Sequence, residues 1–172
     1  MPTIVLVRHG RTSANEQGIL AGRSPGVTLD EVGQSQATTL ATRLSTVPFA
    51  TIVTSPLERT RETAAHIHAQ QGQNASEVVV DERFIECDYG TWTGQSLATL
   101  AKESLWKQVQ SHPSAVTFPD GESLMAMGMR AVAAIREWNQ QSSDADVLAV
   151  ISHGDVIKAV LADALGMHLD AF

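Results

Sequence analysis

The chain has 172 residues, 43% hydrophobic and 18% charged, the balance of one globular domain and not of a disordered or fibrous protein. No apolar run approaches the roughly 20 residues that cross a bilayer, the N-terminus lacks the layout of a signal peptide, and the single cysteine, Cys87, excludes an internal disulfide and fits a reducing cytoplasm. The net charge of −7 argues against a nucleic-acid partner, the short apolar runs against a membrane, and a small anionic substrate would need a pocket where the few cations gather.

The first apolar run, Thr3–Val7, reads as a strand and runs directly into Arg8-His9-Gly10. Thr28-Leu29-Asp30-Glu31 reads as a capping box opening a helix whose buried stripe includes Val32, Ala37, Leu40 and Leu44. Thr51–Thr54 is a second strand, and Ser55-Pro56-Leu57-Glu58 a second capping box with proline at the first helical position. Val78–Val80 is a third strand. The stretch from Trp92 to Asp120 predicts a helix followed by a loop, broken around His112-Pro113. A helix from Glu122 to about Asn139, a strand at Val147–Ile151 and a helix from Asp155 to about Leu165 complete the chain. Apolar runs without alternation suit strands covered on both faces, so the pattern predicts an α/β fold: a three-layer sandwich with a mostly parallel central sheet.

In open α/β sheets ligands bind beyond the C-terminal ends of the strands. Those ends carry Arg8-His9-Gly10, then Ser55 with Arg59 a turn into its helix, then Ser152-His153-Gly154-Asp155. A phosphate monoester carries close to two negative charges, and the arginine fork suits its oxygens best. Arg8 and Arg59 are the candidate clamps, helped by amide groups at the start of the Ser55 helix. Neutral imidazole attacks phosphorus, so His9 is a candidate nucleophile held by a backbone carbonyl, with His153 stabilising the developing charge. Expelling the alcohol needs a proton. A carboxyl group desolvated near phosphate stays protonated, and Glu86, Asp88 and Asp155 are all candidates on spacing alone.

These blocks resemble the histidine phosphatase superfamily, which includes the cofactor-dependent phosphoglycerate mutases. Arg8-His9-Gly10 with Thr12 and Asn15 is similar to its signature, Ser55–Thr60 with Thr63-Ala64 to its second arginine motif, Glu86 with Tyr89-Gly90 to its acid segment, and His153-Gly154 to its second histidine. The blocks stand in family order across nearly the whole chain. The resemblance implies a phosphoglycerate mutase-like fold over 1–172, with 92–121 as a small cap. It implies His9 as nucleophile, Glu86 as proton donor, and Arg8, Asn15, Arg59, His153 and Gly154 as phosphate contacts, with no cofactor and no metal. In the acid-phosphatase branch an aspartate follows the second histidine; Gly154 stands there in this chain, which favours Glu86. Ala21–Gly26, Glu86–Gly94 and Ser152–Ala164 resemble an actinobacterial phosphomutase-labelled branch. The short span from Glu86 to Gly121 favours phosphatase over mutase, and the chain stops at Phe172 where relatives usually continue.

The expected activity is therefore hydrolysis of a small phosphate ester through a phosphohistidine, without metal. A phosphomutase, a metallohydrolase and a silent phosphate-binding module are the rivals, and the oligomeric state, a homodimer included, stays open. The leaving group falls to the cap, where Trp106 and Phe118 either line the pocket or belong to the core. The remaining features have structural readings. Arg61 points away from Arg59 and pairs with Glu58. His66, His68, His112 and His168 are surface or packing residues, and Cys87 is structural. Met125, Met127 and Met129 pack core and cap. Glu122 and Ser123 begin a helix, with a minor binding role open to them. Gly22-Arg23-Ser24-Pro25-Gly26 mimics a nucleophile elbow, but Pro25 lacks the N–H that an oxyanion hole needs.

Overall fold

The structure, a computed structural model, describes residues 1–72 and 76–171. The opening apolar run is β1 (Thr3–Arg8), followed by a single helical turn, α1 (Ser13–Glu16), and by α2 (Glu31–Leu44). Then come β2 (Phe49–Thr54), α3 (Glu58–Gln70) and β3 (Val78–Val80). Two short helices, α4 (Leu97–Leu100) and α5 (Ser104–Ser111), precede the long α6 (Leu124–Gln141), β4 (Val147–Ser152) and α7 (Gly154–Ala164).

The four strands lie in the order β1-β4-β2-β3, and every pairing is parallel. Successive residues face opposite layers, as the pleat requires. Val7, Ile52, Ala149 and Ile151 pack with Ala41 of α2 and with Ala64 and Ile67 of α3. Val53 and Val150 face the other layer, with Met127 and Ala131 of α6 and Val156 and Val160 of α7. The sandwich expected from unalternated strands is thus formed, matching the fold expectation.

Several boundaries differ from those read in the sequence. Asp30, not Thr28, caps α2, its Oδ1 accepting from Gly33 N at 2.7 Å. The fully buried stripe is Gly33, Ala37 and Ala41, with the expected Leu40 and Leu44 partly buried against the same core, while Val32 is 43% exposed. Helix α3 has no side-chain cap: Leu57 precedes its first turn, and the Ser55 hydroxyl is engaged elsewhere. The 92–121 stretch forms two helices and a 3₁₀ turn at Pro113–Ala115 in place of one helix. Of the three methionines only Met127 is buried, since Met125 and Met129 are 41% and 67% exposed.

Register positions the site. Arg8 lies opposite Ser152 and Thr54 opposite Ile151, so β1, β4 and β2 end level with one another. The ladder runs one residue further, with His9 N donating to Ser152 O (3.1 Å) and Ser55 N to Ile151 O (2.9 Å). After β1 the chain presses against α2. A Cβ on Gly33 would lie 2.0 Å from Arg11 O, and one on Gly10 would lie 2.7 Å from Gly33 O. Only two facing glycines allow this approach.

Candidate active site

The level strand ends bring His9, Ser55 and His153 to one edge, and α3 adds Arg59 from its first turn. The two imidazole rings stand 5.3 Å apart, tilted by 59°. A cavity of about 200 Å³ is lined by Arg8, His9, Asn15, Arg59, Glu86 and Gly154, among others. His153 is fully buried behind it.

His9 Nδ1 lies 2.7 Å from Gly10 O. A carbonyl only accepts, so Nδ1 carries the proton and Nε2 is left with its lone pair. Arg59 Nε donates to that nitrogen at 3.3 Å. Burial, with Arg59 and Arg8 nearby, pushes the His9 pKa down to about 4 despite the Gly10 bond, so the ring is neutral at physiological pH. His153 accepts at Nδ1 from Arg59 Nη2 (3.3 Å), which assigns its proton to Nε2, 2.7 Å from Ser55 Oγ. Burial, then the cations around it, lowers its pKa well below the ordinary value.

Arg59 is 2% exposed. Its Nη2 also donates to Gly22 O at 2.8 Å, and burial lowers its pKa. Among the described residues, Arg59 Nη1 is the one buried side-chain nitrogen or oxygen without a hydrogen-bond partner. Arg8 is exposed at the mouth, its guanidinium beside Gly154, where a Cβ would sit 3.7 Å from Nε. Gly154 begins α7, so that helix turns its N-terminus to the cavity. The start of α3, expected to do this, contributes Arg59 to the lining but not Leu57 or Glu58.

Glu86 lies with its carboxyl buried and Oε2 3.9 Å from His153 Nδ1. Burial first, and the nearby Asp155 second, push its pKa up to about 8, against the Cys87 amide, Arg59 and Arg130. Asp155 also lines the cavity and accepts from Tyr89 Oη at 2.7 Å. Asp88, the third acid, instead accepts from Gly90 N and lies 3.5 Å from Arg23. Asn15 reaches the cavity wall, but its Oδ1 is committed to the amide and hydroxyl of Thr12, closing the box that caps α1.

Sequence reasoning missed what holds the acid. Glu86 O accepts from Arg23 Nε (2.8 Å) and Arg130 Nη2 (3.1 Å), and Glu122 Oε1 joins both arginines at 2.9 and 2.7 Å. The same Oε1 accepts from Asp88 N at 3.0 Å. Glu122 is therefore the hub of the acid loop and not the start of α6, which Ser123 caps. Arginines scattered at 23 and 130 gave no linear signal for this. Other residues behave as read or differ locally. Cys87 is buried and burial raises its pKa. His66 links α2 to α3 through Thr38 and Gln34. Glu58 accepts from Gly26 N, and Arg61 acts on it only through its charge.

A parallel α/β sheet thus gathers two histidines, two arginines and a buried carboxyl group at one edge, a set suited to holding a phosphate ester. The chain belongs to the histidine phosphatase superfamily (branch 1), which it matches over residues 4–172. It is 32% identical to phosphoserine phosphatase 1 of Hydrogenobacter thermophilus, over all of this chain and 80% of that protein. It is 34% identical to the 2,3-bisphosphoglycerate-dependent phosphoglycerate mutase of Bartonella quintana, over 74% of this chain and 64% of the relative. A bifunctional protein of Mycobacterium tuberculosis, Rv2228c, is 34% identical over 94% of this chain and 44% of its own length, in keeping with the actinobacterial resemblance. The solved structure of Bacillus stearothermophilus YhfR superposes with a TM-score of 0.90 at 26% identity, covering 99% of this chain and 83% of that one.

Proposed function

We propose that the chain hydrolyses small phosphate monoesters through a phosphohistidine on His9. The observation that carries this is the buried, unpartnered Nη1 of Arg59 beside a neutral His9, both residues lining one cavity and the His9 Nε2 lone pair held by Arg59 Nε. Arg59 and Arg8 hold the phosphoryl oxygens, with Gly154 at the α7 N-terminus favouring the anion and Asn15 at the wall. As phosphate enters, Arg59 Nε exchanges His9 Nε2 for a phosphoryl oxygen, which frees the lone pair. Nε2 attacks phosphorus, the bond to the ester oxygen breaks, and Glu86 gives its proton to the departing alkoxide. His153, accepting from Arg59 Nη2 at Nδ1, orients that guanidinium toward the transferring oxygens, which carry the developing charge. The Glu86 carboxylate then takes a proton from water, whose oxygen attacks phosphorus. The P–N bond breaks, inorganic phosphate leaves, and His9 and Glu86 return to their starting forms. Every proton in this cycle is carried by the chain's own side chains.

Residues 1–172 act as one domain in this reading, with 92–121 as the cap beside the cavity, and the cytoplasm suits a chain with one cysteine. No helix among the described residues is long and apolar enough to cross a membrane. His9→Ala is expected to abolish release of inorganic phosphate from an aryl phosphate. An acid-labile, base-stable phosphoenzyme is expected in the wild type after rapid quenching, and full activity of the variant would refute the scheme. Activity that disappears on exhaustive chelation would favour a metallohydrolase. The similarity to a phosphoglycerate mutase supports a second reading, in which an alcohol takes the place of water and an isomerised phosphate ester is formed. The ratio of phosphate released to isomer formed separates the two.

A further inference from the structure

A second cavity of about 240 Å³ adjoins the first. Leu20, Tyr89, Leu97 and Asp155 line both, so the second begins where an ester oxygen would leave the phosphoryl site. Its floor is aromatic. Phe118 meets Tyr89 edge-on at 4.9 Å and Trp92 at 5.4 Å, and all three side chains are buried. Trp106 of α5 stacks on Trp92 at 6.2 Å and forms a half-buried wall with Val109. Leu97, 39% exposed, stands at the opening.

The charges here do not suit an acidic metabolite. Among the described residues lining this cavity, the one cation is Lys158, at the rim, 3.8 Å from Asp155. Arg8 and Arg59, the cations of the first cavity, are committed to phosphate in the proposed scheme. A carboxylate on the leaving group would therefore approach Asp155 and find only Lys158, already paired with that aspartate, as a counter-charge in this cavity. An uncharged apolar group would cover Trp106, Val109 and Leu97 and remove their surface from water.

Resting on the hydrolase reading above, we infer that the leaving group is an uncharged, largely apolar alcohol bearing a flat ring or a compact hydrocarbon, and not a carboxylated one. Trp106 and Leu97 are then the specificity-determining residues. The test compares kcat/KM for 3-phenylpropyl phosphate, ethyl phosphate and O-phosphoserine, alkyl esters that all require the same proton donor. The phenylpropyl ester is expected to exceed ethyl phosphate roughly ten- to hundredfold, as burial of one phenyl ring allows, and to exceed O-phosphoserine as well. In Trp106→Ala the phenylpropyl-to-ethyl ratio should fall at least fivefold. Leu97→Arg, at a more exposed position, should lower the same ratio and raise O-phosphoserine relative to ethyl phosphate. A preference for O-phosphoserine in the wild type, or an unchanged ratio in both variants, would overturn the inference while leaving the hydrolase intact. Absence of phosphate release from all three esters and from an aryl phosphate would overturn the hydrolase reading and this inference with it.

Discussion

At the scale of single residues, two burial effects of opposite sign set the working pH. Desolvation disfavours charge, so it lowers the pKa of His9 to about 4 and raises that of Glu86 to about 8. Between those values the nucleophile is neutral and the acid protonated together. The profile of kcat/KM, which reports the free enzyme, should have a basic limb near pH 8 belonging to Glu86. Glu86→Gln should remove that limb and lower turnover of an alkyl phosphate by roughly 10²–10⁴-fold, with a smaller loss for an aryl phosphate whose oxygen leaves without help. Asp155→Asn removes a negative neighbour, so the limb should move to lower pH; an unmoved limb would show that burial alone sets it. Stability follows the same shifts. The Glu86 contribution is fully present below about 4.5 and is lost as pH rises to about 8, because the folded chain keeps a proton that the unfolded chain releases. The depressed His9 acts the other way, its contribution being present above 6.5 and lost as pH falls through about 4. Urea titrations of wild type and Glu86→Gln across this range should show the downward slope above 6.5 vanish in the variant.

At the scale of elements, the site depends on two close approaches. One sets the Arg8-His9-Gly10 loop against α2 through Gly10 and Gly33. Gly33→Ala places a methyl group into the Arg11 carbonyl, so it should cost about 1–3 kcal/mol by urea unfolding and weaken inhibition by inorganic phosphate as the loop shifts. The other is the tie of the acid loop to α6 through Glu122, Arg23 and Arg130. Glu122→Gln keeps the shape and loses the charge on two arginines, with an expected cost of about 2–3 kcal/mol and a fall in kcat larger than any change in KM. A change in KM alone would assign Glu122 to substrate instead. The sequence made these elements legible unequally. Strands β1, β3 and β4 were readable almost to the residue because strands of a covered parallel sheet are unbroken apolar runs, even at the half-buried edges β1 and β3. Caps were harder, since Thr28, Asp30 and Ser55 are all competent capping residues and only the packed loop decides which side chain is free to cap. The Glu122 hub was invisible because it joins residues about a hundred positions apart.

At the scale of the whole molecule, the sheet order places β4 between β1 and β2, so both histidines and the α3 arginine converge although they are far apart in sequence. The convergence was legible from the rule that ligands gather at strand ends, and so were the neutral nucleophile and the protonated acid; the burial of Arg59 was not. Neutral histidines leave Arg59 a buried cation in no ion pair among the described residues, the Glu86 and Glu58 carboxyl groups acting on it only through space. Such a charge destabilises the empty enzyme, and the whole domain is stabilised when an anion arrives. In phosphate-free buffer, relief of that unpartnered charged donor offsets the lost bonds to Gly22 O, His9 and His153, so Arg59→Met should stay within about 1 kcal/mol of wild type. Inorganic phosphate or vanadate at about a hundredfold its dissociation constant should raise the wild-type Tm by roughly 5–10 °C. The variant should lose most of that gain. An Arg59→Met protein less stable than wild type by more than that without ligand, yet still stabilised fully by phosphate, would mean that Arg59 serves the fold and that Arg8 with the α7 N-terminus binds the anion unaided.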